Sequence, residues 1–87
     1  MTVRIERTSE ESKVVLSVAG RLEGEGVREL ISTCGSIEGK FVLDLAGLSS
    51  ADSEGIEAIR ELVRAGRKLR GVSPFIRLLL DDQPSAE

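Results

Sequence analysis

The stretch FVLDLAGLSSADSEGIEAI, residues 41–59, decides the fold, because a strand pattern changes to a helix pattern within it. Residues 41–46 form a nearly unbroken apolar run between Gly39 and Gly47, and apolar residues on both faces are typical of a central strand. The polar connection LSSADSEG separates this run from apolar residues at helical spacing. The stretch therefore predicts a central strand, a short turn and a helix.

The helix after this turn is predicted to be the longest in the chain. Its charged side has acids early and bases late, which suits the helix macrodipole. Glu57 with Arg60, and Glu61 with Arg64, are three residues apart and are expected to pair. Its apolar stripe consists of Ile56, Ile59, Leu62, Val63, Gly66 and Leu69.

Two strands and a helix are predicted before the central strand. Residues 3–7 and 13–20 alternate apolar and polar side chains, and the polar run TSEESK between them predicts a hairpin. After Gly24 and Gly26 the period changes to that of an amphipathic helix, which Gly35 is suited to end. The apolar stripe of this helix consists of Val27, Leu30, Ile31 and Cys34.

The end of the chain predicts a weak strand and a short helix. Residues 69–72 are too few for more than a vestigial strand, and Ser73 followed by Pro74 is a strong helix start. Residues 75–80 hold more apolar side chains than one face of a short helix presents, so we expect burial in this domain or contact with a partner. The tail at 83–87 is expected to be disordered.

These elements predict a single α/β domain over residues 1–82. We expect a mixed sheet of about four strands, with two longer helices packed mainly on one face and a short third helix at the end. The first strand of the hairpin is expected at an edge of the sheet, and residues 41–46 in its middle.

The composition limits the classes of function. A chain of 87 residues and 9.4 kDa supports one domain, and 40% hydrophobic with 31% charged residues is typical of a soluble fold. No apolar run is long enough for membrane insertion. A net charge of −3, with two Phe and no Trp or Tyr, leaves neither a basic field nor a stacking platform, so we expect no nucleic-acid binding.

Histidine is absent and Cys34 is the single cysteine. This excludes His-dependent general base catalysis, CxxC redox chemistry, zinc sites of Cys and His ligands, and intrachain disulfides. The start MTVRIERTSEESKVV lacks the pattern of a secretory signal, so we expect a cytoplasmic protein. Cys34 is expected to be a free thiol that packs as a small hydrophobe.

Asp44 interrupts the apolar central strand and must find hydrogen-bond partners, which we expect in a neighbouring loop. Asp44 and Asp52 also raise the alternative of a hydrolase with two carboxylates. A domain of this size offers little room for a substrate cleft, and the glycines at 20, 24 and 26 form no phosphate-binding loop motif. We therefore expect no enzyme activity, no cofactor and no metal.

The segments VVLSVAGRLEGEG (14–26), FVLDLAGLSSADSEGIEAI (41–59) and GVSPFIRLLL (71–80) resemble the STAS domain of bacterial anti-sigma factor antagonists. That family has an apolar strand ending in Asp and a small turn, followed by an Asp-Ser pair and a glycine at the start of a helix. Here these positions are Asp44, Gly47, Asp52, Ser53 and Gly55.

The resemblance implies a binding module that takes part in partner switching. In such systems the unphosphorylated antagonist binds a serine kinase of the GHKL ATPase type that is also the anti-sigma factor. Phosphorylation ends the interaction and a PPM-type phosphatase restores it. By position Ser53 is the phosphoacceptor, supported by Asp52, with Glu54, Gly55, Glu57 and Asp44 as further support and partner contacts.

Physical chemistry favours Ser53 independently of the family. The N–H groups at a helix start carry partial positive charge and are suited to hold a phosphate, so phosphorylation is expected to leave the fold intact. Asp52, Glu54 and Glu57 crowd the same turn, so an added dianion is expected to repel a docked partner. Ser53 or Asp52 also serves as the helix cap in this interpretation, and Ser49 and Ser50 are alternative acceptors.

Two further questions stay open at this point. STAS-like subunits also bind ATPases without a phospho-switch, as in accessory subunits of lipid-transport ABC complexes, and gene neighbourhood would separate the two functions.

The apolar last helix is compatible with a monomer or a weak homodimer.

Overall fold

The structure is a computed structural model and describes residues 3–81. The tail predicted at 83–87 lies outside these residues. The elements of the described range, in chain order, are β1 (Val3–Glu10), β2 (Lys13–Leu22), α1 (Glu25–Ser36), β3 (Phe41–Asp44), β4 (Leu48–Ala51), α2 (Ser53–Arg64), β5 (Lys68–Arg70) and α3 (Pro74–Asp81).

The strands form one mixed sheet, which confirms the predicted α/β class. β1 pairs with β2 antiparallel, while β2 pairs parallel with both β3 and β4, and β3 pairs parallel with β5. The order β1-β2-β3-β5 puts β1 at an edge and β3 inside the sheet, as predicted. β3 lies along the first half of β2 and β4 along its last residues.

The sheet of the described residues has five strands, where about four were predicted. The additional strand is β4, which lies in the segment predicted as a polar connection. Its sequence LSSA has no strand pattern of its own, and it becomes a strand because it pairs with residues 20–22 of β2. The prediction was wrong here because tertiary pairing outweighed local propensity.

The β1–β2 hairpin is tighter than predicted, because its strands extend to Glu10 and from Lys13. The turn consists of Glu11 and Ser12 alone, with φ of 49° and 70°. Two consecutive positive φ angles are typical of two-residue hairpin turns, which usually carry Asn or Gly. Because neither residue stands here, the sequence held no signal for so short a turn.

Helix α2 ends at Arg64 and has 12 residues, the same number as α1, so the prediction of one longest helix was wrong. Gly66 has a φ of 92°, a conformation that ends helices, and Leu69 belongs to β5. The two predicted ion pairs are present, with Arg60 and Glu57 3.4 Å apart and Arg64 beside Glu61.

The helices cover one face of the sheet and enclose the core. Cys34 is a buried free thiol in this core, as predicted, and burial raises its pKa above the ordinary value. The fully buried members of the core, with exposures of 0 or 1%, are Leu16, Val18, Leu22, Leu30, Leu43, Leu45, Ile59 and Ile76. None of the helices in the described range has the length and apolarity needed to cross a bilayer.

The opposite face of the sheet carries an ionic bridge. Arg70 Nε donates to Asp44 Oδ2 at 2.9 Å, and Arg70 Nη2 donates to Glu10 Oε2 at 3.2 Å. The bridge joins β5 and β3 to β1 and so passes over β2. Val15 is buried as well, although it lies outside the helix-covered core.

Helix α3 begins where the sequence predicted, with Ser73 Oγ accepting from the Ile76 N–H at 3.2 Å. Ile76 is fully buried, whereas Phe75 and Leu78 are 52% and 66% exposed. Burial within the domain is therefore confirmed for Ile76, and contact of the exposed Phe75 and Leu78 with a partner stays a prediction.

Candidate functional site

The start of α2 is held by a single carboxylate. Asp52 Oδ1 accepts from the Gly55 N–H at 2.7 Å, which makes Asp52 the N-cap of α2. Asp52 Oδ2 accepts from the Gly24 N–H at 3.3 Å, and Gly24 is the residue before α1. Asp52 therefore joins the starts of two helices, and of the two predicted caps it is Asp52 that is used.

The backbone of the same turn is attached to the carboxyl end of β2. The Asp52 N–H donates to the Leu22 carbonyl at 3.1 Å, and Ser49 Oγ donates to the Gly20 carbonyl at 2.9 Å. A Cβ placed on Gly55 would lie 2.6 Å from the Leu22 carbonyl oxygen. Gly55 is thus required by the close approach of the helix to β2.

Ser53 is the first residue of α2 and is exposed. Its hydroxyl makes no hydrogen bond to any residue in the described part of the chain, whereas Ser49 uses its hydroxyl to hold the turn. The N–H groups of the first helical turn have no acceptor within the helix. An oxygen that is open to solvent therefore lies at the positive end of the α2 dipole.

The acids around Ser53 differ in their surroundings. Glu54 is exposed and has no ion-pair partner among the described residues, so its charge adds directly to the surface beside Ser53. Glu57 lies 3.4 Å from Arg60 and 3.4 Å from Arg64, so its charge is partly neutralised. The predicted crowding of acids therefore comes mainly from Glu54.

Asp44 lies apart from this turn and has its own partners. Its Oδ1 accepts from the Ala46 N–H at 2.9 Å and its Oδ2 accepts from Arg70. The hydrogen bond from the Ala46 N–H lowers the pKa of Asp44 most, burial acts in the opposite direction, and Arg70 adds to the lowering. The expected hydrogen bond to a neighbouring loop is present, but Asp44 and Asp52 share no partner in the described residues.

An open groove of about 330 Å³ runs between α1 and α2, next to Ser53. Its floor includes Ile31, which was predicted to lie in the core but is 55% exposed. The lining consists of Val27, Arg28, Ile31, Glu54, Glu57, Ala58 and Glu61.

Sequence reasoning did not identify this groove or the bond from Gly24 to Asp52. The spacing of the acids at 54, 57 and 61 was a usable signal for the groove, because it puts three carboxylates on one face of α2. No local signal marks Gly24 as a partner, since it is separated from Asp52 by 28 positions.

The site has no features of a metal centre: among residues 3–81 no three His, Cys, Asp or Glu side chains are arranged to hold an ion. The sequence matches no protein-family model, and a search of curated proteins finds no significant match. Function has to be inferred from the geometry of the α2 start and the groove beside it.

Proposed function

We propose that this protein is a non-enzymatic regulatory binding module of the STAS type, resembling anti-sigma factor antagonists and acting in the cytoplasm. Phosphorylation of Ser53 controls which partner it binds. The observation that carries this proposal is the exposed Ser53 hydroxyl at the first position of a helix whose start is fixed by Asp52.

A phosphate on Ser53 is compatible with the fold. A phosphoserine carries a charge of about −1.5 to −2, and the free N–H groups and dipole of a helix start favour such a charge. Because Ser53 is exposed and its hydroxyl holds no other element, the modification removes no hydrogen bond. Asp52 continues to cap the helix in the phosphorylated protein.

The same phosphate changes the surface that a partner meets. The groove between α1 and α2 has Glu54, the residue after Ser53, together with Glu57 and Glu61 along its α2 side. A partner that docks here presents basic side chains to these acids and apolar side chains to Ile31. A dianion at the end of the groove must be desolvated in the complex, which weakens binding without a change of conformation.

The partners that suit this mechanism are a serine kinase of the GHKL type, which doubles as an anti-sigma factor, and a PPM-type phosphatase. The kinase binds the unmodified groove, transfers the phosphoryl group to Ser53 and then dissociates. The phosphatase removes the group and restores binding.

The test uses Ser53→Asp and Ser53→Asn, which differ in charge and hardly in shape. Binding of a GHKL-type kinase from the same genome is measured for the wild type and both variants, and phosphosites are mapped by mass spectrometry after incubation with ATP. We expect phosphate on Ser53, loss of binding for Ser53→Asp, and binding within a few fold of wild type for Ser53→Asn. Wild-type affinity for Ser53→Asp, or phosphate on Ser49 or Ser50 instead, would reject the mechanism.

A second function is favoured by one observation, the permanent charge of Glu54 beside Ser53. If a partner binds with the Glu54 carboxylate in its interface, its affinity should depend less on a further negative charge at the same turn. In this alternative the protein is an accessory subunit that binds an ATPase, for example of a lipid-transport ABC complex, without phospho-switching. An ABC ATPase that binds wild type, Ser53→Asp and Ser53→Asn equally, with no kinase binding, would establish it.

A further inference from the structure

A separate cavity of about 370 Å³ lies at the end of the sheet where the parallel strands β2, β3 and β5 begin. Lys13 is the first residue of β2, Lys40 directly precedes β3, and Lys68 is the first residue of β5. Because parallel strands begin at the same edge of a sheet, these three residues converge on one cavity. Ser53 lies at the other end of β2, after the strand that pairs with residues 20–22.

The lysines of this chain all lie in one region of the structure. The chain contains three lysines, and all three line this cavity together with Arg67. No acidic residue is among the lining residues, although the chain has a net charge of −3. The ion pairs between described residues all use arginine, so no described carboxylate lies within ion-pair distance of any of the three lysines.

Arg67 gives the cavity one fixed wall. Its guanidinium lies 4.5 Å from the centroid of the Phe41 ring, and its Nη1 donates to the Gly39 carbonyl at 3.0 Å. Phe41 is buried, so the ring on which the guanidinium stacks is itself held in place. A stacked arginine keeps further N–H donors for a ligand and loses little conformational freedom when it binds one.

Charge and volume together define the ligand. Four cationic side chains without a lining acid suit an anion with several charges, and lysine and arginine are the usual binders of phosphate oxygens. The lining also includes the half-buried Val14 and Val42, and the volume is within the range of small-molecule sites. We propose that this cavity binds a ligand that carries two or more phosphate groups, either a soluble polyphosphate compound or the headgroup of a polyphosphorylated lipid.

This site is independent of the proposed phospho-switch. It uses none of the residues at the α2 start, and a ligand bound here leaves Ser53 exposed. Ligand binding in this cavity therefore does not depend on whether a kinase binds at Ser53.

The test is a calorimetric titration of the whole protein with inorganic tripolyphosphate at low salt. The variant carries Lys13→Gln, Lys40→Gln and Lys68→Gln, and the control carries Arg4→Gln, Arg7→Gln and Arg77→Gln, which removes the same charge elsewhere on the surface. We expect the lysine variant to bind about tenfold or more weakly than wild type, and the control to bind within about twofold of it. Equal weakening in both variants, or no binding by wild type, would overturn the proposal.

A second measurement does not depend on how well the lysine variant folds. Wild-type protein is acylated with an amine-selective reagent in the presence and absence of tripolyphosphate, and each modified lysine is quantified by mass spectrometry. Protection of all three lysines supports the site, and unchanged acylation rejects it. Vesicles of phosphatidylcholine with and without phosphatidylinositol 4,5-bisphosphate identify the source: binding to the doped vesicles that the lysine variant lacks indicates a lipid headgroup, and tripolyphosphate binding alone indicates a soluble ligand.

Discussion

Asp52 makes two hydrogen bonds with one carboxylate, and the two donors belong to the starts of different helices. Gly55 lies in the first turn of α2 and Gly24 directly precedes α1. Both starts present N–H groups that lack helical acceptors, and a carboxylate is favourable at each because of the helix dipole. One residue thereby sets the relative position of the two helices that form the groove.

Asp52→Ala is expected to lower the free energy of unfolding by about 1 to 2 kcal/mol, since the α2 cap and the bond to Gly24 are lost together. The matched control is Glu54→Ala, which removes an adjacent exposed carboxylate without an ion pair and should change stability by less than about 0.5 kcal/mol. Urea unfolding of both variants gives the comparison. Equal stabilities of the two variants would show that Asp52 does not hold the turn.

Gly55→Ala is expected to destabilise the protein by about 1 to 3 kcal/mol, because its Cβ meets the Leu22 carbonyl and the helix must shift. The control is Gly35→Ala, in a helix where a Cβ meets nothing within 4 Å. That change should stabilise by about 0.5 to 1 kcal/mol through helix propensity. Thermal melts that move in the same direction for both variants would contradict the close approach of α2 to β2.

Helix α3 has only eight residues and depends on contacts at both ends. Ser73 caps its start, and the Arg60 side chain reaches its end, where Nε and Nη2 donate to the carbonyls of Leu80 and Leu79 at 3.2 and 3.1 Å. These carbonyls belong to the last turn and have no helical donor. A cation there also suits the negative end of the helix dipole.

Arg60→Ala is expected to cost about 1 to 2 kcal/mol of unfolding free energy and to speed amide hydrogen exchange in α3, since charged hydrogen bonds to two carbonyls are lost. Arg64→Ala is the control, because Arg64 is exposed and pairs only with surface acids on its own helix. Its effect should stay below about 0.5 kcal/mol. Unchanged exchange of α3 amides in Arg60→Ala would mean that Arg60 does not anchor the helix.

Helices and strands were predicted correctly where nearby residues determine them, and were missed where contacts with distant residues determine them. β3, α1, α2 and α3 were expected near their observed positions, because apolar periodicity and caps such as Ser73 act within a few residues. β4 was missed because LSSA is a strand only where β2 lies beside it. Leu69 was assigned both to the helical stripe and to the weak strand at 69–72, and the structure places it in β5 after the positive φ at Gly66 has ended the helix.

In the candidate site, too, the features with a local sequence signal were predicted, and those that depend on distant contacts were not. Asp52, Ser53 and Gly55 were identified from a short motif at a helix start, and the structure places them at such a start. The hydrogen bond from Gly24 to Asp52 joins distant parts of the chain, and so does the bond from Arg70 to Asp44, which lies apart from the turn. Separations of 28 and 26 residues leave no periodic signal in the sequence.

Across the whole molecule, the candidate phosphosite and the lysine-lined cavity lie at opposite ends of β2. Ser53 and the acid-rimmed groove lie toward the carboxyl end of β2, and the lysine-lined cavity lies where β2, β3 and β5 begin. A small domain with such a separation presents different surfaces to a basic protein partner and to a phosphate-bearing ligand. On the face of the sheet that carries no helix, Arg70 pairs with Glu10 and Asp44 and so connects β5, β3 and β1.

The hydrogen bonds of Asp44, from the Ala46 N–H first and then from Arg70, predict a pH dependence of stability. The pKa of Asp44 is lowered in the folded protein, so its contribution is complete above the ordinary carboxyl pKa of about 3.9 and is lost as the pH falls through the lower folded value. Wild type should be more stable than Asp44→Asn by about 1 kcal/mol at pH 7, and the difference should shrink as the pH approaches about 2 to 3. Urea unfolding of both proteins across this range measures the difference, and a constant difference would contradict a stabilising role of the ionised Asp44 carboxylate.

The most direct measurement of the central claim is made on protein carrying phosphoserine at position 53, incorporated during translation, beside the unmodified protein. Affinity for a GHKL-type kinase from the same genome and the melting temperature are measured on the same samples. A phosphate held at a helix start predicts at least about a tenfold loss of affinity with a melting temperature within a few degrees of the unmodified protein. Equal affinities, or a phosphorylated protein that has lost its fold, would contradict the account.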